Sequence, residues 1–345
     1  MRRLLVLALC AIALHPAWGG EAGWHAGVLR IPVPDGAAGT FNAAVFYPTH
    51  EAEASWQAGP FTVNATAGAP PAADRRFPVI LLSHGRRGGP LTHRELAASL
   101  ARAGFIVALP THVGDASGLP LAPTQAQVLV DRPRQARAAL EAVLAHPRLA
   151  SSADAGRIGM IGFSAGGYTA LVLAGARPDF ARADAYCRDA RDPGSCTRGT
   201  DAQQAYSSAR PAPPDLTAWQ PPVEPRIGAL VLMDPLAVMF GPSGLSGVRV
   251  PTLLYRPESD AYLGAEANAL AVERGLPAAP AVRVVPGAHF VFVDPCPPEL
   301  ASGEPLVCHD APGVDRASIH REMKAEVARF LHASLAGQRD GRTAP

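Results

Sequence analysis

The sequence lacks the features by which several classes of protein are recognised. Its 31 basic and 30 acidic side chains nearly cancel, so nothing favours a nucleic acid or an acidic surface as a partner. No apolar run is long enough to span a bilayer comfortably, and the longest covers residues 4–14. The 35 prolines and 33 glycines form no repeat and lie between periodic segments. The composition therefore indicates a globular protein that is rich in loops.

The apolar run near the N-terminus predicts a secretory signal peptide. Two arginines precede it and small residues follow it, which is the layout of such a leader. We expect cleavage after Gly19, with the site after Ala22 as the alternative. The mature chain, residues 20–345, would then be periplasmic or secreted and would have no transmembrane segment. An uncleaved N-terminal anchor is the remaining interpretation.

Cysteine is scarce, and an exported chain would keep only four. These are Cys187, Cys196, Cys296 and Cys308. An even number of cysteines outside the cytoplasm favours disulfides. The pairs 187–196 and 296–308 are close in sequence and would each staple a loop, although three connectivities are possible. None of the four has a histidine pair nearby at metal-ligand spacing, so we expect no metal site.

Apolar strand patterns alternate with helical patterns along the mature chain. This alternation predicts a single domain with a doubly wound, mostly parallel sheet and helices on both faces. Strands are expected at 77–85, 105–112, 157–163, 226–234, 250–260 and 281–289, and the first three of them are expected to be buried. One helix is expected to be capped by Asp131, with Pro133 in its first turn. Residues 178–225 break the alternation with two cysteines, many prolines and many charges, and we interpret them as a cap-like insertion.

The stretch GFSAG, residues 162–166, lies where a buried strand runs directly into a helix. This is the G-x-S-x-G nucleophile-elbow pattern in its expected context. Side chains two positions from the serine would collide with the neighbouring strand or helix, which explains the glycines. A serine at a helix N-terminus also lies near backbone N–H groups that favour developing negative charge. We therefore predict that Ser164 is a nucleophile; a glycine-rich turn with an idle serine is the alternative.

A serine nucleophile needs a base, and the base needs an acid that orients it. In the chain order Ser–Asp–His the base follows the last strand, where VPGAHF places His289. His309, in a loop beside Cys308, is the other candidate. Asp260 follows the penultimate strand and is the favoured acid. Asp234, at the end of the strand before that, is the alternative.

The reaction also needs two preorganised N–H donors that receive the oxyanion. The residue after the nucleophile, Ala165, supplies one of them in this arrangement. The other is expected from the backbone of Arg86, in the turn HGRRGG that follows the strand at 77–85.

Four stretches carry a family resemblance: FPVILLSHGRRGG, LARAGFIVALPTHVGD, RIGMIGFSAGGYTALVLAGA, and VPGAHFVFVDPCPPEL with a later VCHD. Together they resemble the exported, predicted dienelactone-hydrolase group of α/β-hydrolases, which is similar to the plasma platelet-activating-factor acetylhydrolases. The resemblance runs from about Ile31 to Leu335. It implies an α/β-hydrolase fold and an ester hydrolase without a cofactor, with Ser164 and His289 as nucleophile and base. Dienelactone hydrolases use a cysteine nucleophile, so their substrate is not carried over; the acetylhydrolase-like relatives place the acid at Asp234.

We therefore expect an exported serine hydrolase that cleaves carboxylic esters through an acyl-enzyme. Its substrate would be a small-molecule, lipid or polymer ester, with the insertion at 178–225 shaping the pocket. An amidase or peptidase with the same triad is one alternative. A non-catalytic, ligand-binding relative of the α/β-hydrolases is the other.

Overall fold

The computed structural model describes residues 23–36, 39–120, 122, 124–189, 192–196, 216 and 219–337. The expected signal peptide, residues 1–19, and both expected cleavage sites lie outside these ranges. So does much of the insertion expected at 178–225, including residues 197–215.

A nine-stranded sheet forms the centre of the molecule. Its strand order is β11-β10-β9-β8-β6-β7-β2-β1-β5, and a separate hairpin joins β3 to β4. The strands are β1 His25–Pro34, β2 Thr40–Thr49, β3 Trp56–Ala58, β4 Phe61–Val63, β5 Thr66–Ala67, β6 Phe77–Ser83, β7 Ile106–Pro110, β8 Ala153–Phe163, β9 Ile227–Met233, β10 Thr252–Pro257 and β11 Ala281–Val285. Six neighbouring strands of this order, β11, β10, β9, β8, β6 and β7, pair in parallel. Strand β2 runs antiparallel to its two neighbours, β1 and β7.

Helices cover both faces of this sheet. The longer ones are α1 Arg94–Arg102, α2 Gln125–Ala145, α3 Ala165–Leu173, α4 Phe180–Asp189 and the C-terminal helix Arg316–Ala336. Shorter helical segments are Pro242–Leu245, Ala265–Ala267, Ala269–Gly275, His289–Phe292, Pro298–Ala301 and Pro305–Cys308. Leu140 of α2 and Leu171 of α3 belong to one core, and Leu96 of α1 and Val327 of the C-terminal helix belong to the other. The sheet is therefore doubly wound, as predicted; no helix within the described ranges is long and apolar enough to cross a membrane.

The start predicted for α2 was wrong. The helix begins six residues before Asp131, at Gln125, where the Thr124 hydroxyl accepts a hydrogen bond from the Gln127 amide at 3.1 Å. Pro133 therefore lies inside the helix, where it cannot donate to the carbonyl of Leu129. The Tyr168 hydroxyl of α3 donates to that carbonyl instead, at 3.1 Å. The lost helical hydrogen bond is thus replaced by one that fastens α2 to α3.

The two disulfides join the cysteines that are close in sequence. Cys187, in α4, is bonded to Cys196, and Cys296 is bonded to Cys308. The described part of the insertion lies against the segment that follows β10, because the Gly194 amide donates to the carbonyl of Tyr262 at 2.7 Å.

Candidate active site

A strained turn joins β8 to α3 at Ser164. Its φ of 55° and ψ of −118° lie outside the helical and strand regions, and a positive φ is uncommon for a residue other than glycine. The Ser164 amide donates to the carbonyl of Met233, at the end of β9, at 3.0 Å. The Ser164 carbonyl accepts from the Gly167 amide at 2.8 Å, which starts α3. The turn is therefore held from both sides, and such strain is typical of functional sites.

The glycines of the elbow permit close backbone approach. A Cβ on Gly162 would collide with the carbonyl of Gly166 in the first turn of α3. A Cβ on Gly166 would collide with the carbonyl of Ser83, at the end of β6. The pattern read from the sequence thus has the steric cause that was expected of it.

His289 reaches the elbow serine from the loop after β11. Its Nε2 lies 2.9 Å from the Ser164 hydroxyl oxygen, and its side chain is buried. The rings of Tyr262 and Phe163 lie against the imidazole, with centroids 4.7 and 4.8 Å away. These contacts restrict the rotation of the imidazole and keep Nε2 directed at the serine.

Both candidate acids lie at the opposite ring nitrogen of His289. Asp234 directly follows β9 and has a positive φ of 43°; its Oδ2 lies 2.6 Å from Nδ1 in hydrogen-bonding geometry. Asp260 follows β10, and its Oδ2 lies 3.3 Å from the same nitrogen. The other oxygen of Asp260 accepts from the Tyr262 amide at 2.7 Å. The structure therefore brings together both acids that the sequence singled out, with Asp234 the closer one.

Burial and the shared contacts shift the pKa values of all three groups. Burial raises the pKa of Asp234 to about 7; the negative charge of Asp260 adds to the rise and His289 opposes it. Burial also acts to raise the pKa of Asp260, but its contacts with His289 and Asp234 outweigh burial and bring that pKa below its usual value. For His289, burial acts to lower the pKa, and the hydrogen bonds and charges of the two acids more than offset it, so the pKa is raised.

The two amides expected to hold an oxyanion lie at the ends of neighbouring elements. Ala165 is the first residue of α3, and Arg86 lies in the loop that follows β6. Among the described residues, no acceptor takes a hydrogen bond from either amide. A cleft of about 730 Å³ opens beside the loop that carries Arg86. Its wall includes Arg86, Phe163, Tyr262, Phe290, Phe61 and Leu91.

The same three groups are the candidate metal ligands within the described ranges. One ligand atom each from Asp234, Asp260 and His289 lies within 4.8 Å of the others. The Nδ1 of His289 is the histidine atom nearest the two acids. While that nitrogen carries the hydrogen it donates to Asp234, it cannot bind a metal.

Sequence reasoning did not single out two further features of the site. The aromatic contacts of Tyr262 and Phe163 with the imidazole were not predicted, although Phe163 is one of the two variable residues of the GFSAG pattern. The buried ion pair between Arg132 and Asp115, with 2.6 Å between Nη1 and Oδ2, was also missed. The only signal in the sequence was an arginine on the apolar side of a helix.

Comparisons with known proteins agree with the architecture. The family model for the dienelactone hydrolase family matches residues 63–195, which include the loop after β6 and Ser164 but neither acid nor His289. No curated protein sequence matches the chain at a significant level. A ferulic acid esterase from Streptomyces cinnamoneus, solved at 2.4 Å, is similar in structure, with a TM-score of 0.58 and 19% identity over 95% of this chain and 94% of that one. At that identity the likeness shows the fold. The predicted α/β-hydrolase fold and the resemblance to dienelactone hydrolases are thus confirmed.

Proposed function

We propose that the protein is a serine hydrolase that cleaves carboxylic esters through an acyl-enzyme. The observation that carries this proposal is the line of contacts from the Ser164 hydroxyl to His289 Nε2, and from His289 Nδ1 to Asp234. This is the arrangement that activates a serine for nucleophilic attack. The dienelactone hydrolase family match and the ferulic acid esterase neighbour support an ester as the substrate class.

In the proposed mechanism the Ser164 oxygen attacks the ester carbonyl carbon as its proton passes to His289 Nε2. The Nδ1–H of His289 donates to Asp234, which stabilises the imidazolium. The amides of Arg86 and Ala165 donate to the carbonyl oxygen as it becomes negative. Collapse of the tetrahedral intermediate breaks the ester C–O bond, and His289 protonates the departing alcohol. Water then attacks the acyl-serine with His289 as base, which releases the acid and restores the hydroxyl.

Asp260 is proposed as a second acid beside the imidazole. Its carboxylate lies 3.3 Å from Nδ1 and adds negative charge next to the developing imidazolium. Asp234 is the principal acid in this proposal because it makes the shorter contact in hydrogen-bonding geometry.

Export to the periplasm or the medium is part of the proposal. The pattern of residues 1–19 is typical of a signal peptide, and the two disulfides are compatible with an oxidising compartment.

The substrate class is tested with matched nitrophenyl esters and nitroanilides. We expect hydrolysis of the esters, from acetate to palmitate, with a chain-length optimum set by the cleft. The anilides should be cleaved at least about 10³-fold more slowly. A nitroaniline leaves less readily than a nitrophenol, so amide cleavage needs additional stabilisation of its transition state by the site. Anilide turnover comparable with ester turnover would favour the amidase alternative. Binding of the corresponding free carboxylic acids, without turnover of any ester, would favour the non-catalytic, ligand-binding alternative.

The pH dependence follows from the raised pKa of His289. The imidazole must be neutral and Asp234 ionised, and both groups have raised pKa values, so kcat/KM should rise with pH through an apparent pKa of the pair that lies above the ordinary histidine value of about 6.5. Replacing Asp260 by asparagine removes one of the groups that raise this pKa, so the acid limb should move to lower pH. A pH profile of kcat/KM for both proteins measures the shift. A limb that stays in place or moves to higher pH would refute the assigned electrostatics.

A further inference from the structure

A buried ion pair contacts the loop after β6 and takes no part in the steps above. Arg132, in α2, has a side chain 1% exposed, and its Nη1 lies 2.6 Å from Oδ2 of Asp115. Burying such a pair costs desolvation energy that the attraction between the charges does not reliably repay. A buried pair therefore contributes little to stability by itself. The other hydrogen bonds of Arg132 and Asp115 show which parts of the backbone the pair holds in place.

The first set of contacts holds the loop after β6. Arg132 Nη2 donates to the carbonyl of His84 and, at 3.3 Å, to the Ser83 hydroxyl. The carbonyl of Asp115 accepts from the Arg87 amide at 2.9 Å. The ion pair thus holds the backbone at His84 and at Arg87, on either side of Gly85 and Arg86. The amide of Arg86 is one of the two proposed oxyanion donors.

The second set of contacts holds the first turn of α3. Arg132 Nε donates to the Thr169 hydroxyl oxygen at 3.2 Å, and that hydroxyl donates to the carbonyl of Ala165 at 3.0 Å. The hydrogen bond from Tyr168 to Leu129 fastens the same two helices one turn away. One guanidinium is thereby connected to both elements that carry the proposed oxyanion donors.

We propose that Arg132 is a positioning residue that sets the separation of the Arg86 and Ala165 amides, by tying the loop after β6 to the first turn of α3. This inference rests on the proposed function. Both donors are backbone N–H groups, which cannot move by a change of side-chain rotamer. Their spacing therefore depends on the contacts that hold the backbone of the loop and of the helix. Arg132 touches neither substrate nor reacting atoms. Its five-donor planar fork is needed because it must reach His84, Ser83, Thr169 and Asp115 at once, which a lysine ammonium cannot do.

A positioning role makes a kinetic prediction that a merely structural role does not. Oxyanion contacts form mainly in the transition state, so their loss lowers kcat and leaves KM nearly unchanged. The pH profile should keep its acid limb, because the hydrogen bonds of Arg132 go to Ser83, His84, Asp115 and Thr169 and not to His289 or its two acids. Affinity for a boronic acid, which forms a tetrahedral adduct with the serine, should fall by the same factor as kcat/KM.

The experiment compares Arg132→Met, Arg132→Lys and Thr169→Val with wild type on one nitrophenyl ester, each below its unfolding temperature. We expect Arg132→Met to lower kcat by about 10²-fold, the loss typical of one oxyanion donor, with Arg132→Lys rescuing little of it. Thr169→Val removes the hydroxyl that accepts from Arg132 Nε and donates to the Ala165 carbonyl, leaves the contacts of Arg132 with the loop after β6, and should lower kcat by about 10-fold. Thr169→Val introduces no buried charge, so it carries the test if the Arg132 variants do not fold.

Arg157→Met is the matched control. Arg157 pairs with Asp154 at 2.7 Å and donates to the Arg76 carbonyl at 2.8 Å, at the opposite end of β8 from Ser164. It should lose stability without losing kcat. The inference is overturned if Thr169→Val and any folded Arg132 variant keep kcat within about threefold of wild type, if KM changes in place of kcat, or if Arg157→Met loses as much. Failure of the proposed function would be a different result, namely no ester hydrolysis by the wild-type protein.

Discussion

Replacing Ser164 by alanine is expected to lower kcat for ester hydrolysis by about 10⁴-fold or more. The hydroxyl is the only nucleophile that lies within reach of His289 Nε2 among the described residues, at 2.9 Å. Alanine keeps the backbone of the strained turn and removes only the attacking oxygen. The residual rate should reflect water attack assisted by the oxyanion donors.

Steady-state kinetics of the two proteins on a nitrophenyl ester measure this loss. Ser243→Ala is the matched control: Ser243 is an exposed serine in the short helix Pro242–Leu245 and should retain wild-type kcat. Thermal unfolding of each variant shows whether the fold is kept. A Ser164→Ala protein that is folded and fully active would mean that Ser164 only occupies a turn.

Replacing Asp234 by asparagine is expected to lower kcat by about 10⁴-fold, whereas the same change at Asp260 should cost about 10-fold. Asp234 Oδ2 lies 2.6 Å from His289 Nδ1 and holds the tautomer in which Nε2 can take the serine proton. An asparagine amide there can donate to Nδ1 and so stabilise the wrong tautomer. Asp260 lies farther away, at 3.3 Å, and one of its oxygens is already engaged by the Tyr262 amide.

Kinetics at the pH of the activity plateau separate these losses from the shift of the acid limb. The double variant shows whether the acids act through one imidazole, since its loss should then be smaller than the product of the single losses. The reverse order, with Asp260→Asn the more damaging change, would make Asp260 the principal acid. Equal and small losses would mean that either carboxylate can hold the ring alone.

The sheet and the elbow could be predicted because their signals are local. The buried strands β6, β7 and β9 are continuous apolar runs, and a parallel sheet covered on both faces requires such runs. The glycines around Ser164 reflect collisions with backbone only a few residues away or in the adjacent strand. His289 follows the last strand, so chain order favoured it over His309, and the structure places its Nε2 2.9 Å from the Ser164 hydroxyl oxygen.

The sequence favoured Asp260 as the acid, whereas in the structure Asp234 lies closer to His289. Asp234 and Asp260 follow adjacent parallel strands, β9 and β10, whose carboxyl ends meet at the same edge of the sheet. Chain order and strand position therefore allow either residue to reach His289. Asp234 lies 2.6 Å and Asp260 3.3 Å from His289 Nδ1, and such a difference between two equivalent strand ends is not encoded in any spacing pattern.

The start of α2 and the buried contacts of Arg132 were missed for a related reason. A proline is usually taken as a mark of a helix's first turn, but here Tyr168 supplies the hydrogen bond that Pro133 removes. That compensation comes from a residue 39 positions away in the sequence. The contacts of Arg132 with the loop after β6 are equally long-range, so only the folded chain reveals them.

The central claim is that Ser164 carries the acyl group. The most direct measurement is the intact mass of the protein during turnover of a nitrophenyl ester, quenched in acid, followed by peptide mapping. We expect a mass increase of one acyl group, located on the peptide that contains Ser164 and absent from Ser164→Ala. Rapid ester hydrolysis with the acyl group on another residue, or with the same adduct in Ser164→Ala, would contradict the proposed mechanism.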